Sequence, residues 1–290
     1  MKVNAYAINS FAKTTEGGNA AGVVPNADFL SDVQMQKIAA ILGFSETAFV
    51  LKSNLADFRV KFFAPSEEVD LCGHATIGTF YTLAALGYLK PGSYLQETKA
   101  GILGVEITKD LSIMMCQPPP SFFETVEKSE IADSLNIETA SIHEYLPVQI
   151  VSTGLRDIIV PIKSLDILNT IKPDFEKVRE ISRKYNTVGY HVFTLESINN
   201  STARCRNFAP LFEIPEESAT GTSNGALACY LYKYGKLDFN QASHIIIEQG
   251  YSMKKPSEIL VSLAVDGKEI KGVKVGGKAL NLSSIVVDIE

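Results

Sequence analysis

The chain has 290 residues, 46% of them hydrophobic and 21% charged, a length that suits two domains of about 150 residues better than one core. Its net charge of −6 excludes a basic nucleic-acid-binding protein, while a locally positive site for a small anionic metabolite stays open. No apolar run approaches membrane-spanning length and no leader pattern opens the chain, so a cytoplasmic protein without a membrane segment is expected.

In chain order, apolar alternation predicts strands at 3–8 and 21–24. Ser31 is a candidate N-cap, and Met35, Ile38, Ala39 and Leu42 form the apolar stripe of a helix over 31–42. Strands follow at 47–51 and 58–63, then a helix over 73–86 and closing strands at 104–107 and 112–116. The helix over 73–86 carries no charge, and a helix without a polar face is a buried one. Gln117-Pro118-Pro119-Pro120 breaks regular structure and reads as a linker. Beyond it the pattern gives strands near 148–151 and 157–161, and a helix near 174–184. Strands at 191–195 and 203–208, a helix over 221–234, and strands at 244–248 and 258–263 complete the series. A last hairpin over 274–287 is expected to return to the first domain.

The two series are copies of each other. Arg59-Val60-Lys61-Phe62-Phe63-Ala64-Pro65 is echoed by Arg204-Cys205-Arg206-Asn207-Phe208-Ala209-Pro210, an offset of 145. Cys72-Gly73 falls opposite Thr220-Gly221, and Gly87 opposite Gly235, an offset of 148. Upstream, Thr47-Ala48-Phe49-Val50-Leu51 is aligned with His191-Val192-Phe193-Thr194-Leu195. The expected fold is therefore α+β: two duplicated β-roll, barrel-like domains, each wrapped around a central helix. The first covers residues 1–116, completed by 274–290, and the second covers 125–273.

Each central helix opens on a glycine step, Cys72-Gly73-His74 and Thr220-Gly221-Thr222. Unpaired N–H groups and the helix dipole make such a start an anion site, and two of them facing one cleft would hold a carboxylate. Glu46, set among Phe44, Ala48 and Phe49, reads either as a capping residue or as a carboxyl with a raised pKa suited to acid–base work. His74 is the only histidine on a Gly-rich loop, whereas His143, His191 and His244 read as ordinary strand or surface residues. Cys72, just before a helix, is where a thiol pKa is lowered, and it reads either as a second acid–base group or as small packing. The four cysteines, Cys72, Cys116, Cys205 and Cys229, form no CxxC pair and are expected as free thiols. No dinucleotide loop, HExxH or His/Cys metal spacing occurs, so no metal and no cofactor is expected.

Ser45-Glu46-Thr47-Ala48-Phe49, Phe63-Ala64-Pro65, Cys72-Gly73-His74-Ala75-Thr76 and Glu216 to Thr222 together resemble the signature of the PhzF-like (phenazine biosynthesis protein-like) family. The resemblance covers nearly the full chain. It implies a diaminopimelate-epimerase-like fold, no cofactor, a homodimer, and an isomerase that moves a proton on a small cyclic or amino-acid-like carboxylate. On these matches Glu46, His74 and Glu217 carry the catalytic roles, and Asn19, Gly73, Gly221 and Thr222 bind substrate. The alternatives are an amino-acid racemase or epimerase using Cys72, and a non-catalytic metabolite-binding member. Two departures bear on the substrate and leave the chemistry class unchanged: Ala20 where the family has Pro, and Glu217 where it has Asp. The longer acid carries its carboxylate about 1.5 Å further.

Overall fold

The computed structural model describes residues 1–289. The chain divides into two compact units: Met1–Cys116 with the segment from Gly276 onward, and Gln117–Val275.

The first unit runs β1 (Lys2–Ser10), β2 (Asn19–Val24), α1 (Asp32–Leu42), β3 (Thr47–Leu51), β4 (Phe58–Phe63), β5 (Glu68–Val69), α2 (Gly73–Ala85), β6 (Gly92–Thr98), β7 (Gly101–Ile107) and β8 (Ile113–Gln117). Strands β2 and β3 have no exposed residue, because their side chains alternate between two cores. Val24, Phe49 and Phe63 pack with Met35, Ile38 and Ala39 of α1. Their neighbours Val23, Ala48 and Phe62 pack on the opposite side with Cys72 and Ala75 at the start of α2. The sheet thus takes an amphipathic helix outside and encloses an almost wholly buried one.

Helix α1 starts at a capping box in which Ser31 accepts the Gln34 N–H and Gln34 Oε1 accepts the Ser31 N–H. It stops at Gly43, whose φ of 67° is the left-handed conformation that glycine adopts without strain.

The second unit runs β9 (Ser121–Thr125), α3 (Lys128–Ser134), β10 (Gln149–Ser152), β11 (Arg156–Pro161), α4 (Leu165–Thr170), α5 (Phe175–Lys184), β12 (Gly189–Thr194), β13 (Ala203–Ala209), β14 (Ile214–Glu217), α6 (Gly221–Lys233), β15 (Ile245–Gln249) and β16 (Ser257–Asp266). Strands β17 (Glu269–Gly277) and β18 (Ala279–Asp288) follow, and β18 pairs antiparallel with β1, Lys2 opposite Asp288. Ile150, Ile158, Val160, Val192 and Phe208 meet Val178 and Ile181 of α5 on one face.

The ladders of the two units share one order. Strands β1-β2-β3-β4-β6-β7 pair antiparallel, parallel, antiparallel, parallel, antiparallel. Strands β10-β11-β12-β13-β15-β16 repeat that series. Helices α2 and α6 are each 13 residues long and begin 148 positions apart. Register corrects one detail of the sequence alignment. Phe63 faces Thr47, and its equivalent Phe208 faces Tyr190. Thr47 therefore corresponds to Tyr190, one residue before the His191 that apolar matching selected. A one-residue slip reverses every side chain. Ala48, in contact with α2, is thus the counterpart of His191.

The structure adds elements that apolar alternation did not reveal, among them β6, β9, α3 and α4. In β6 the pattern is inverted: Gln96 is fully buried and Leu95 is 47% exposed, because Gln96 Nε2 donates to the Thr76 hydroxyl of α2. The break around Gln117 covers only Pro118, Pro119 and Pro120, since β8 ends at Gln117 and β9 begins at Ser121.

Candidate active site

In the first unit, Glu46 lies on the short turn between α1 and β3. It caps no helix: Gly43 ends α1, and the Glu46 carbonyl accepts the Gly22 N–H of β2 at 3.0 Å. Its carboxylate is only partly covered, at 21% exposure, with Oε2 3.2 Å from His74 Nε2. The Ser45 hydroxyl lies 3.3 Å from the same nitrogen. On the other side of the ring, Cys72 Sγ is 3.3 Å from Nδ1. Ligand atoms of Glu46, Cys72 and His74 all fall within 4.8 Å of one another. Linear motif spacing could not show this trio, because Glu46 reaches it from a different element.

Burial pushes the His74 imidazole below its ordinary value, although the Glu46 charge and a hydrogen bond with the Ala20 backbone oppose the shift. The ring is then neutral near pH 7, with one N–H and one acceptor nitrogen. A neutral imidazole between a carboxylate and a thiol can pass a proton either way.

The start of α2 adds backbone donors. Cys72 occupies the N-cap position with an extended backbone and makes no side-chain cap, so the N–H groups of Gly73, His74 and Ala75 have no intrahelical acceptor. A methyl group added at Gly73 would meet only Met115 Cε, at 3.6 Å, so packing does not dictate the glycine. Asn19 opens β2 opposite Ser10, and the Ser10 hydroxyl donates to the His74 carbonyl at 2.6 Å.

The other predicted residues lie at the start of α6 in the second unit. Glu217 ends β14 and accepts the Thr220 hydroxyl. Thr220 is the N-cap of α6, yet its hydroxyl turns to Glu217 and caps no helix N–H, ahead of Gly221 and Thr222. Gln249 Nε2 donates to the Glu217 carbonyl at 2.8 Å, and Gln249 Oε1 accepts the Thr220 N–H at 3.1 Å.

Behind this helix start is a buried polar network centred on His191, which the sequence reading placed among ordinary strand or surface residues. His191 is fully buried, with Nδ1 3.0 Å from Asn207 Oδ1 and Nε2 3.2 Å from Asn224 Oδ1. Burial lowers its pKa to about 4, so the ring is neutral and carries one N–H. Asn224 is fixed by its own donations, from Nδ2 to the Thr220 carbonyl at 2.8 Å and to Gln249 Oε1 at 2.7 Å. His191 Nε2 therefore carries the proton, and the Asn207 amide must be turned so that its NH2 donates to Nδ1. Beside it Asp157, 1% exposed, accepts the Ser223 hydroxyl at 2.8 Å, and burial raises its pKa to about 7. The signal for this network was present: one histidine in an otherwise apolar strand, Gly189–Thr194, every residue of which is buried.

Residues 8–284 match the profile of the PhzC-PhzF family, phenazine biosynthesis-like protein. The chain belongs to this family. An uncharacterized isomerase of Clostridium acetobutylicum is 38% identical, with 96% of each chain covered. A trans-2,3-dihydro-3-hydroxyanthranilate isomerase of Pseudomonas fluorescens is 28% identical over 96% of each. The crystal structure of a Bacillus anthracis PhzF-family protein superposes with a TM-score of 0.91 at 32% identity, covering 100% of both chains. A hydroxyproline epimerase from Agrobacterium vitis shares the fold alone, with a TM-score of 0.59 at 13% identity over 99% and 93% of the two chains. The PhzF-type chain described here is thus an isomerase with a diaminopimelate-epimerase-like fold. Among its described residues no helix is long and apolar enough to cross a membrane.

Proposed function

We propose that this PhzF-type isomerase moves a proton on a small cyclic or amino-acid-like carboxylate, without metal or organic cofactor, and that Glu46 carries the proton. The observation that carries the reading is the 3.2 Å approach of Glu46 Oε2 to the buried, neutral His74 ring at the start of α2. The Glu46 carboxylate removes a proton from carbon, and the C–H electron pair becomes a new double bond. The electrons of the old double bond take up the proton at the far carbon, so nothing is oxidised or reduced. The neutral His74 ring lies against the carboxylate and holds it beside the start of α2. The N–H groups of Gly73 to Ala75 favour the substrate's negative charge. In the second unit, anion binding is assigned to the N–H groups of Gly221 and Thr222, with Glu217 as the acid beside them. The side chain of Asn19 is assigned to substrate binding in the first unit.

The substrate class follows the hydroxyanthranilate named for the Pseudomonas relative, and Glu217, standing where the family pattern has Asp, is the position at which specificity is expected to depart from it. The experiment is proton NMR in deuterated water, offering trans-2,3-dihydro-3-hydroxyanthranilate and a panel of small amino-acid-like carboxylates. Turnover with deuterium gained at one carbon supports the reading, and a folded Glu46→Gln chain with full turnover ends it. A second reading, racemisation with Cys72 as base, draws on the 3.3 Å approach of its thiol to His74. Deuterium gained with inversion at one carbon, abolished by Cys72→Ser, would favour it.

A further inference from the structure

We infer that Gln249 is a positioning residue for Glu217: its side-chain amide holds the Thr220 hydroxyl with the proton turned to Glu217 Oε2, so that a proton carried by Glu217 sits on Oε1. The kinetic consequence rests on the acid role proposed for Glu217; the hydrogen-bond assignment does not.

Backbone groups, whose roles cannot change, fix the direction of each bond. The Thr220 N–H can only donate, and it meets Gln249 Oε1 at 3.1 Å. The Glu217 carbonyl can only accept, and it meets Gln249 Nε2 at 2.8 Å. The Gln249 amide therefore has one orientation. Nε2 also lies 3.1 Å from the Thr220 hydroxyl oxygen, and Oε1 takes Asn224 Nδ2 at 2.7 Å. With two donations and two acceptances the side chain is fully used. Because the Thr220 oxygen accepts from Gln249, its own proton goes to Glu217 Oε2. A proton on that oxygen would compete with the hydroxyl, which directs a proton on Glu217 to Oε1.

The same logic runs back into the core. Asn224 Nδ2 faces the Thr220 carbonyl, an obligate acceptor, at 2.8 Å, which turns Asn224 Oδ1 to His191 Nε2. Protons thus point one way, from His191 through Asn224, Gln249 and Thr220 to Glu217. Bonds in such a series polarise one another, and more strongly away from water. His191, Asn224 and Gln249 are fully buried, and Glu217 is the partly exposed end of the series.

Two further features mark the arrangement as built for the acid. Gly250, next to Gln249, has a φ of 80°, and a methyl group there would lie 2.6 Å from the Ser218 carbonyl. Glycine lets the end of β15 come that close to the turn that carries Glu217 and Thr220. In the first unit, the ladders make Val69 the counterpart of Glu217 and Thr98 that of Gln249. Thr98 spends its hydroxyl on the Gly101 carbonyl of its own hairpin, at 3.0 Å. The ladder thus closes around α2 with neither acid nor amide, and the amide occurs where the acid does.

The test uses the full chain carrying 13C at the glutamate δ-carboxyl, and its first readout needs no substrate. The Glu217 NMR signal is assigned by its loss in Glu217→Gln. It should shift in Thr220→Val, which keeps shape and removes the hydroxyl, and in Gln249→Met, which removes both donors. It should return toward its original position in Thr220→Ser. Kinetics with trans-2,3-dihydro-3-hydroxyanthranilate form the second readout. Thr220→Val should lower kcat by roughly 10-fold, the weight of one hydrogen bond to a charged group, with KM changed less. Thr220→Ser should recover most of that loss. In a Glu217→Gln background Thr220→Val should cost little more, because both act through one carboxyl. Gln249→Glu keeps the two accepting contacts and should lower kcat as Thr220→Val does; it decides the matter if Gln249→Met does not fold. An unmoved Glu217 signal, additive losses, or full kcat in Gln249→Glu beside a lowered kcat in Glu217→Gln would overturn the inference. A shifted signal with kcat unchanged in Glu217→Gln would retire the acid role while leaving the hydrogen-bond assignment standing.

Discussion

The two units build the same ladder around the same length of helix, yet they seat that helix in opposite ways. Register makes Ala21 and Asp157, Ala48 and His191, and Phe62 and Asn207 equivalent pairs. Counting along the helices makes Ala75 and Ser223, and Thr76 and Asn224, equivalent. The seat of α2 is thus largely apolar, and that of α6 is a hydrogen-bonded network. Apolar packing sets depth but little direction, whereas a satisfied buried network fixes a single arrangement. The difference extends to the helix starts. The first copy presents Cys72 and His74, both able to exchange protons, and the second has Thr220 and Thr222 at those positions. One copy thus places groups able to exchange protons at its helix start, and the other places a hydrogen-bonded network behind its own.

The largest expected effect tests where the chemistry sits. Glu46→Gln preserves shape and hydrogen-bonding capacity but removes the exchangeable proton, so kcat should fall by roughly 10²–10⁴-fold, the usual weight of general acid–base catalysis. KM should change little if backbone N–H groups hold the anion. Glu217→Gln should cost less in kcat. Steady-state kinetics on the substrate found by NMR checks both, and the reverse ranking would move the acid–base centre to the second unit.

Next in size is an ion pair that both copies keep. Arg59 and Glu97 are equivalent to Arg204 and Glu248 through matching parallel ladders. The first pair is 3.9 Å apart with Arg59 at 48% exposure, while the second is 2.7 Å apart at 4% and 0%. Arg204 also lies over the Tyr251 ring at 3.7 Å. Removing one member of a buried pair strands the other charge, so Arg204→Ala should cost about 3–5 kcal/mol in urea denaturation. Arg59→Ala should cost at most about 1 kcal/mol. Equal losses would mean that the second pair is not sealed from water.

Much of this was legible in the sequence, and the misses share a cause. The buried helices showed themselves by lacking charge from Gly73 onward, and the duplication by the two Phe-Ala-Pro segments. Ser31 announced its helix through side-chain chemistry that is local in sequence. What escaped were polar residues facing inward. Gln96 and Thr98 invert the expected alternation in β6, and His191 lies in an apolar run, so a method that treats polarity as exposure passes over both. The Glu46–Cys72–His74 trio was named residue by residue, but its assembly depends on how β2, β3 and α2 pack.

The polar seat also carries two titrations of opposite sign. His191 has a folded pKa of about 4, below the unfolded value near 6.5, so the unfolded chain binds the extra proton as pH falls. Stability is lost from about pH 6.5 down to about pH 4, by roughly 3 kcal/mol. Asp157 has a folded pKa of about 7, above the ordinary 3.8, so the folded chain binds the extra proton. That stability is present at low pH and lost as pH rises through about 7, amounting to roughly 4 kcal/mol. The two nearly cancel. The pair therefore adds little net slope between about pH 4 and 7, and the intact chain should still lose stability toward low pH through His74, whose folded pKa also lies below its ordinary value, a baseline for two variants measured by denaturation in buffers across that range. Asp157→Asn should become less stable as pH falls, and His191→Gln more stable. Parallel slopes in both variants would mean that these groups do not titrate as opposed partners.

The smallest effect concerns a hydroxyl preserved in both copies. Ser10 ends β1 and donates to the carbonyl of His74, the second residue of α2, at 2.6 Å. At the equivalent place Thr153 lies 3.1 Å from the carbonyl of Thr222, the second residue of α6. Thr153 is also 2.7 Å from Gln117 Oε1, and one hydroxyl proton cannot serve two acceptors. Gln117 Nε2 meanwhile has no partner. Exchanging the oxygen and nitrogen of the Gln117 amide resolves both problems: Nε2 donates to Thr153, which then donates to Thr222 just as Ser10 does to His74. Each helix carbonyl keeps its place in the helix ladder without the hydroxyl, so Ser10→Ala should cost only about 1 kcal/mol, while Thr153→Val, which also strands the buried Gln117 amide, should cost about 1–3 kcal/mol. Activity should separate them. Ser10 holds the backbone of His74 itself, so Ser10→Ala should lower kcat more than its stability loss accounts for. Thr153→Val, which leaves the Glu46–His74 pair untouched, should change kcat less. Equal kinetic effects at matched stability would show that the shared hydroxyl is a relic of duplication with no part in placing His74.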